Sequence, residues 1–232
     1  MNKERLQREL DLLRGASFSR IPIDGQQYID WAYQLMLRGY ESENLFALAS
    51  LYSYEEVSTE RYLALVVNEL GLDIKKSPKE LFHVYVKDVA KQVVEHKLAA
   101  DEGLLILNNL WYDTLETDFS NECIEQFTYL SEDITLMDDE YTISYVGLTK
   151  ENCAKVIEEE MELLLLRDEE NLYDIVDLIY CNKCKALRRS EFKKHNIKGR
   201  WLCKGCESTE YMAWCDVSDR SQLLGLIKEK MN

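Results

Sequence analysis

The chain has 232 residues, of which 46% are hydrophobic and 31% are charged, and its net charge is −15 at pH 7. This composition is typical of a folded globular protein and excludes an intrinsically disordered chain. Every apolar run, including the four leucines Leu163 to Leu166, is far shorter than the roughly 18 residues of a membrane-spanning helix, so we expect no membrane segment. The polar start MNKERLQREL predicts a helix instead of a signal peptide, and we therefore expect a cytoplasmic protein.

Helical periodicity is the main signal in the first part of the chain. Only two prolines and nine glycines occur in the whole sequence, so long uninterrupted elements are expected. Apolar residues recur at steps of three and four, which places them on one face of a helix. Three such stripes are formed by Tyr28, Trp31 and Leu35, by Leu45, Leu48 and Tyr52, and by Leu63, Val66 and Leu70.

One helix boundary is marked clearly by turn and capping residues. Gly71 can adopt the left-handed conformation that closes a helix. In the segment SPKE that follows, Ser77 can cap a new helix, Pro78 suits its first turn, and Glu80 can complete a capping box. The apolar stripe of that helix consists of Phe82, Val86, Val89 and Val93.

Two further helices are predicted before the cysteine-rich segment. The run LLILNNLWYDTL indicates one, and the second begins after Thr149 and carries Cys153, Ile157, Met161 and Leu164 on one face. Residues 118–147 show no clear period, although EYTISYVG has the composition of a strand. The acidic clusters MDDE and EEEME are interpreted as solvated faces. We predict a mainly α fold, an irregular helical bundle over residues 1–175.

The composition changes near residue 175, where we place a domain boundary. Residues 176–215 are predicted to form a small β zinc ribbon, and residues 216–232 a closing helix. Ser218 can cap this helix, and Asp219 suits its positive end. The apolar stripe formed by Leu223, Leu224, Ile227 and Met231 must be covered, so we expect the closing helix to pack on the helical body.

Four of the seven cysteines form two C-x-x-C pairs, Cys181 with Cys184 and Cys203 with Cys206. The odd number and the expected reducing compartment argue against a disulfide framework. The 18 residues between the pairs match the spacing of four-cysteine zinc sites. Four thiolates fill a tetrahedron and leave no open position, so we predict one structural Zn²⁺. A redox pair and an iron–sulfur centre are the alternatives.

The remaining cysteines and one histidine are assigned no metal. His195 lies between the two pairs and Cys215 lies beyond them, and either could replace a ligand, but the set of four is already complete. Cys123 and Cys153 lie in helical segments and are interpreted as small buried hydrophobic residues.

Two resemblances follow from these residues. LIYCNKC, RWLCKGCE and EYMAW resemble the zinc-ribbon class over residues 176–215, which implies metal-binding turns on short strands. Zinc ribbons bind nucleic acid, dock proteins or simply stabilise a fold, so this resemblance does not select a function. The run AKQVVEHKLAADEGLLILNNLWYD, after NELGLD, resembles segments of uncharacterised bacterial proteins, some of which are immunity proteins encoded beside toxins.

The cysteine-rich segment is basic in an acidic chain. Residues 181–207 contain nine Lys and Arg against two Glu, a balance of +7, so the remainder of the chain carries −22. Phosphate contacts from these cations and base stacking on Phe192 and Trp201 would suit nucleic acid. The cations that we expect to contact a partner or nucleic acid are Arg188, Arg189, Lys193, Lys194 and Arg200.

The acidic remainder disfavours nucleic acid, because it repels a polyanion within about 10 Å, a Debye length. The alternatives are that the basic segment packs against its own acidic helices, against a second copy of the chain, or against a different protein.

The chain contains none of the motifs of common enzymes. Phosphate loops, dinucleotide fingerprints, nucleophile elbows and H-E-x-x-H pairs are absent from the sequence. His83 and His96 are interpreted as packed or solvated side chains. We therefore predict a non-catalytic protein-interaction module, such as an acidic immunity-type inhibitor of a basic partner. A zinc-ribbon regulator that binds nucleic acid is the alternative.

Overall fold

The computed structural model describes residues 2–18, 25–114, 122–137, 144–166, 178–195 and 198–231. Within these ranges the chain forms nine α-helices and one four-stranded antiparallel sheet. The prediction of a mainly α fold with a small C-terminal β region and a closing helix is confirmed. Among the helices in these ranges, none combines the length and the apolar character that a bilayer crossing requires.

The helices precede the sheet, except for the last one. They are α1 (Lys3–Ala16), α2 (Gln26–Leu37), α3 (Glu43–Ala49), α4 (Glu56–Glu69), α5 (Pro78–Val94), α6 (Ala100–Thr114), α7 (Glu125–Leu136), α8 (Cys153–Leu166) and α9 (Arg220–Met231). The strands are β1 (Leu178–Cys181), β2 (Ala186–His195), β3 (Lys198–Cys203) and β4 (Tyr211–Ala213), in the spatial order β3-β2-β1-β4.

The chain divides into two compact units. The N-terminal unit comprises Met1–Asp88 and Tyr112–Ser120, and the C-terminal unit comprises Val89–Trp111 and Asn121–Asn232. The predicted boundary near residue 175 lies outside the described residues. The division into residues 1–175, 176–215 and 216–232 therefore stays a prediction.

The N-terminal unit has its own apolar core, built from the stripes of α1 to α4. Tyr52 is the exception among the predicted stripe residues, with 65% of its surface exposed. The reason is that α3 has only seven residues and ends at Ala49, so Tyr52 lies beyond the helix. The buried core residues are Leu6, Leu10, Trp31, Ala32, Leu35, Leu45, Leu48, Val66 and Val67.

The predicted boundary between α4 and α5 has the expected geometry. Gly71 has a φ of 64°, a left-handed value that glycine adopts without steric cost. The backbone N–H of Ser77 donates to Glu80 Oε2 at 2.7 Å, and the N–H of Glu80 donates to Ser77 Oγ at 3.3 Å. These two bonds form the predicted capping box at the start of α5.

In the C-terminal unit, glycine allows two helices to approach closely. A Cβ atom on Gly103 of α6 would lie 2.3 Å from Cγ2 of Val93, at the end of α5. This distance is too short for any side chain, so the glycine is a packing requirement. Residues 118–147, which showed no clear period, contain α7, whose buried residues include Phe127 and Leu130. Val146, which belongs to the strand-like run EYTISYVG, forms an isolated parallel β-bridge with Asp216.

The closing helix α9 packs on α8. Leu223, Leu224 and Ile227 are buried in one cluster with Leu163 of α8 and Trp214. Of the predicted stripe, Met231 has its side chain outside the described part of the chain. Ser218 does not cap the helix, because its hydroxyl donates to Asp216 Oδ1 at 2.7 Å and α9 begins two residues later.

Arg220, the first residue of α9, is completely buried. Its Nε donates to Glu159 Oε2 at 3.1 Å, and its Nη2 lies 2.9 Å from Glu160 Oε1. The guanidinium also lies over the Trp214 ring, at 4.1 Å from the ring centroid. A buried charge requires such partners, since an unpaired one carries a large desolvation cost.

Glu160 is shared between three groups. Besides Arg220, its Oε1 accepts from the Tyr145 hydroxyl at 2.9 Å and from Trp214 Nε1 at 2.8 Å. Burial and the Glu160 carboxylate raise the pKa of Tyr145 well above its ordinary value, so the phenol remains a donor. The interpretation of EEEME as a solvated face is thus wrong for Glu159 and Glu160, which are both buried.

We predict that Arg220→Met destabilises the protein by about 3–5 kcal/mol, because Glu160 then remains buried without its cation. Urea unfolding followed by circular dichroism measures this change. Arg61→Met, which removes an exposed arginine, should cost less than about 0.5 kcal/mol. Adding Glu160→Gln to Arg220→Met should recover part of the loss. A midpoint equal to that of the unchanged protein would contradict the assigned role of Arg220.

Candidate metal centre

The two C-x-x-C pairs occupy equivalent positions in the sheet. Cys181 is the last residue of β1 and Cys203 is the last residue of β3, and each strand is followed by a turn that carries the second cysteine. Cys181 and Cys203 are fully buried, whereas Cys184 and Cys206 are half-buried. The strand ends therefore bring together four thiols that lie up to 25 residues apart in the sequence.

Both turns have the same hydrogen bonds. The N–H of Lys185 donates to the Cys181 carbonyl and that of Glu207 donates to the Cys203 carbonyl, each at 2.8 Å. Lys185 and Glu207 have φ values of 54° and 58°, in the left-handed region. Such values are unusual for residues other than glycine, and they bend the chain around the sulfurs. An ion held by both turns would offset the strain.

Backbone N–H groups also point at the sulfur atoms. The N–H of Cys184 donates to Cys181 Sγ, and the N–H of Gly205 donates to Cys203 Sγ, both at 3.4 Å. These bonds stabilise negative charge on sulfur, the form in which cysteine binds a metal.

The four sulfur atoms have the spacing of a metal site. They all lie within 4.8 Å of one another. The Sγ atoms of Cys181 and Cys206 are 3.5 Å apart, and those of Cys184 and Cys203 are 4.0 Å apart. A tetrahedron with metal–sulfur bonds of about 2.3 Å has sulfurs about 3.8 Å apart. A disulfide would need about 2.0 Å, so the cluster fits one ion and no disulfide.

The thiols of the first pair differ in acidity. Burial raises the pKa of the Cys181 thiol, but hydrogen bonds from the Cys184 N–H and the Cys206 thiol outweigh burial and lower this pKa to about 7. The hydrogen bond with Cys206 raises the pKa of the Cys184 thiol to about 12. Without an ion, Cys184 therefore keeps its proton at neutral pH.

The cysteine cluster lies at one end of a long hairpin formed by β2 and β3, where Cys203 pairs with Ser190. Among the described residues, β1 pairs with β2 over Ala186 to Arg189, and the part of β2 from Ser190 to His195 pairs with β3. These last six pairs form a two-stranded ribbon, which we call the basic hairpin (residues 190–195 and 198–203). The predicted zinc ribbon had no strand at this position, because ALRRSEFKKH lacks an alternating apolar pattern.

Two aromatic side chains lie opposite each other on the basic hairpin. Phe192 pairs with Trp201 across the strands, and their ring centroids are 5.4 Å apart. Phe192 is 52% exposed and Trp201 is 50% exposed. The neighbouring pair on the same face is Ser190 with Cys203, so the aromatic face is also the face of a cluster thiol.

The predicted contact cations lie on or beside this hairpin. Arg188, Arg189, Lys193 and Arg200 are exposed, and the Lys194 side chain lies outside the described part of the chain. Lys193 and Arg200 are direct cross-strand partners, a like-charge pair that is unfavourable unless an anion lies nearby. Lys193 Nζ forms an ion pair with Glu207 Oε1 at 2.5 Å.

The other predicted residues lie outside the cluster. Cys215 is not among its four thiols, and its carbonyl instead accepts from the N–H of Val146 at 2.8 Å. Cys123 is buried as expected, and Cys153 is half-buried. His83 is buried, while His96 lies 3.6 Å from a Glu158 oxygen on the surface. The side chain of His195 is outside the described residues.

The chain matches no protein-family model, no curated protein and no solved structure. The resemblance to immunity-type proteins therefore has no support from comparisons. The metal-binding resemblance has the support of the sulfur geometry within the chain itself.

We predict that binding of a divalent ion to the metal-free protein releases protons. The Cys184 thiol, with a pKa of about 12, is protonated at neutral pH and must lose its proton to become a ligand. The apparent affinity for Co²⁺ should therefore fall at least about tenfold per pH unit between about pH 8 and pH 6. Absorption titrations of Co²⁺ binding at several pH values measure this slope, and a pH-independent affinity would contradict it.

Proposed function

We propose that this protein is a non-catalytic binding protein whose four-cysteine cluster holds one structural Zn²⁺. The observation that carries the metal assignment is the group of four sulfurs within 4.8 Å of one another. Soft thiolates in a tetrahedron suit zinc, and four of them leave no position for a substrate or a catalytic water. The ligands are Cys181, Cys184, Cys203 and Cys206. The ion would stabilise the turns at the base of the basic hairpin.

We predict about one zinc per chain by elemental analysis of protein purified without chelator. Cys206→Ser should lower this content, whereas Cys153→Ser, which changes a cysteine outside the cluster, should not. Chelation should perturb the sheet and leave the helical signal of α1–α4, because their core is apolar and contains no ligand. Iron in place of zinc, or no metal at all, would contradict the assignment.

The basic hairpin suits single-stranded nucleic acid as a ligand. The carrying observation is the half-exposed pair Phe192–Trp201 on the basic hairpin. Exposed Arg188 shares the alternation of Phe192 along β2, whereas exposed Lys193 and Arg200 alternate to the opposite face of the hairpin. Bases can stack on the rings, each worth about 1–3 kcal/mol, while phosphates approach the cations. The paired bases of a duplex would not offer their faces in this way. We therefore propose that the hairpin binds single strands.

The acidic remainder of the chain limits this binding. Outside residues 181–207 the charge is −22, so a bound strand is confined to the hairpin and its immediate surroundings. Repulsion by the helices is screened beyond about 10 Å.

We predict that the protein binds a fluorescein-labelled oligo-dT of about 20 nucleotides, measured by anisotropy at low salt. Phe192→Ala with Trp201→Ala should weaken binding at least tenfold, since two stacking contacts are lost. Phe46→Ala, which removes an exposed aromatic of the N-terminal unit, should have no effect. Zinc content is measured in parallel to show that the cluster is intact. Failure of the unchanged protein to bind at low salt, or equal binding by the double variant, would contradict the proposal.

A second candidate function is the capture of a basic protein, as an acidic immunity-type inhibitor would perform it. The observation that favours it is the −22 charge of the chain outside the basic segment. A strongly negative surface accelerates association with a positive partner and selects against acidic ones. This candidate does not exclude the first, because it uses a different part of the chain.

A further inference from the structure

The connection between α3 and α4 exposes an unusual amount of apolar surface. Tyr52 is 65% exposed, Tyr54 is 77% exposed and Val57 is 83% exposed. The two tyrosine rings lie parallel, with centroids 5.5 Å apart and an interplanar angle of 5°. Side chains this exposed contribute little to the core, so fold stability does not account for them. We call Tyr52, Tyr54 and Val57 the tyrosine surface.

Hydrogen bonds hold the connection in one conformation. The N–H of Tyr52 donates to Glu55 Oε2 at 2.9 Å, and the N–H of Glu55 donates to the Tyr52 carbonyl at 2.9 Å. The carbonyl of Ser53 accepts from the N–H of Gly25 at 3.2 Å. The rings are therefore presented by an ordered backbone, which lowers the entropic cost of binding a partner.

The charged residues at the start of α4 and just before it are three glutamates, Glu55, Glu56 and Glu60, and one arginine, Arg61, so the net charge beside the tyrosine surface is negative. Glu56 and Glu60 are both exposed on the first turns of α4, four residues apart on the same face. Like charges at this spacing destabilise a helix slightly, and a cation placed between them would remove that cost. An aromatic face attracts cations as well, and arginine, with its planar guanidinium, stacks on it best.

We propose that the tyrosine surface is the docking site for an arginine-bearing segment of a basic protein. Guanidinium groups stack on Tyr52 and Tyr54 and pair with Glu56 and Glu60. The carboxylates repel phosphate, so nucleic acid and anionic lipid surfaces are excluded as occupants. The inference rests on the second proposed function, capture of a basic partner, and assigns to it a surface and a residue chemistry.

The experiment uses a fluorescein-labelled nona-arginine peptide and the full chain at one fixed, moderate salt concentration. Tyr52→Ala with Tyr54→Ala should raise the Kd at least tenfold, and Tyr52→Phe with Tyr54→Phe should leave it within about twofold, because the ring faces remain. None of these variants alters the net charge at neutral pH, so general attraction to the acidic chain stays constant. Tyr33→Ala, which removes another exposed tyrosine of the N-terminal unit, is the matched control.

Two further measurements distinguish failure of the tyrosine surface from failure of the second proposed function. A nona-lysine peptide should bind more weakly than nona-arginine, because ammonium groups do not stack. Thermal unfolding of the alanine variant should match that of the unchanged protein, since both side chains are exposed. If the unchanged chain and the alanine variant bind the peptide equally well, the tyrosine surface is not the docking site, and the proposed capture of a basic partner is retained. If the unchanged chain does not bind nona-arginine even at low salt, both are overturned.

Discussion

The buried charge of Arg220 is the constraint around which the C-terminal helices and the sheet are arranged. A guanidinium with no solvent exposure requires carboxylates and ring faces on several sides. Glu159 and Glu160 of α8, the Trp214 ring after β4, and the segment of Tyr145 supply them. A hydrophobic contact would tolerate small shifts of these elements, whereas directional bonds to one planar group fix their register.

This arrangement gives the metal cluster a rigid neighbour on the side of β1 and β4. Trp214 directly follows β4, β4 pairs with β1, and β1 ends at a cluster cysteine. The other pair of cluster thiols, Cys203 and Cys206, belongs to the end of β3 and its turn, and β3 lies at the opposite edge of the sheet from β4. The charge network therefore anchors β1 and β4, and the ion would add a direct link from the end of β3 to the end of β1 to the pairing that β2 provides. Joining these two strand ends is the structural role that we propose for zinc.

The features predicted correctly from the sequence are those whose partners lie close together along the chain. Ser77 and Glu80 are three residues apart, and each cysteine pair spans one turn, so spacing alone indicated their geometry. Arg220 and Glu159 are separated by 61 residues, and nothing in EEEME distinguishes a buried glutamate from a solvated one. The helix α7 had a usable signal, since Ile124, Phe127 and Leu130 recur at steps of three. The pairing of Phe192 with Trp201 depended on a strand register that charged residues do not reveal.

The position of β3 at the edge of the sheet has a consequence for association between copies of the chain. An edge strand carries unpaired backbone groups that can pair with another strand, and proteins commonly block this with charged side chains. Arg200 is exposed within β3, and Lys204 is exposed directly after it. Their positive charges would repel a second edge of the same kind, so the cations at this edge would also oppose aggregation through the sheet. Replacing both with neutral β-branched residues would remove the charges that oppose pairing of this edge with another strand.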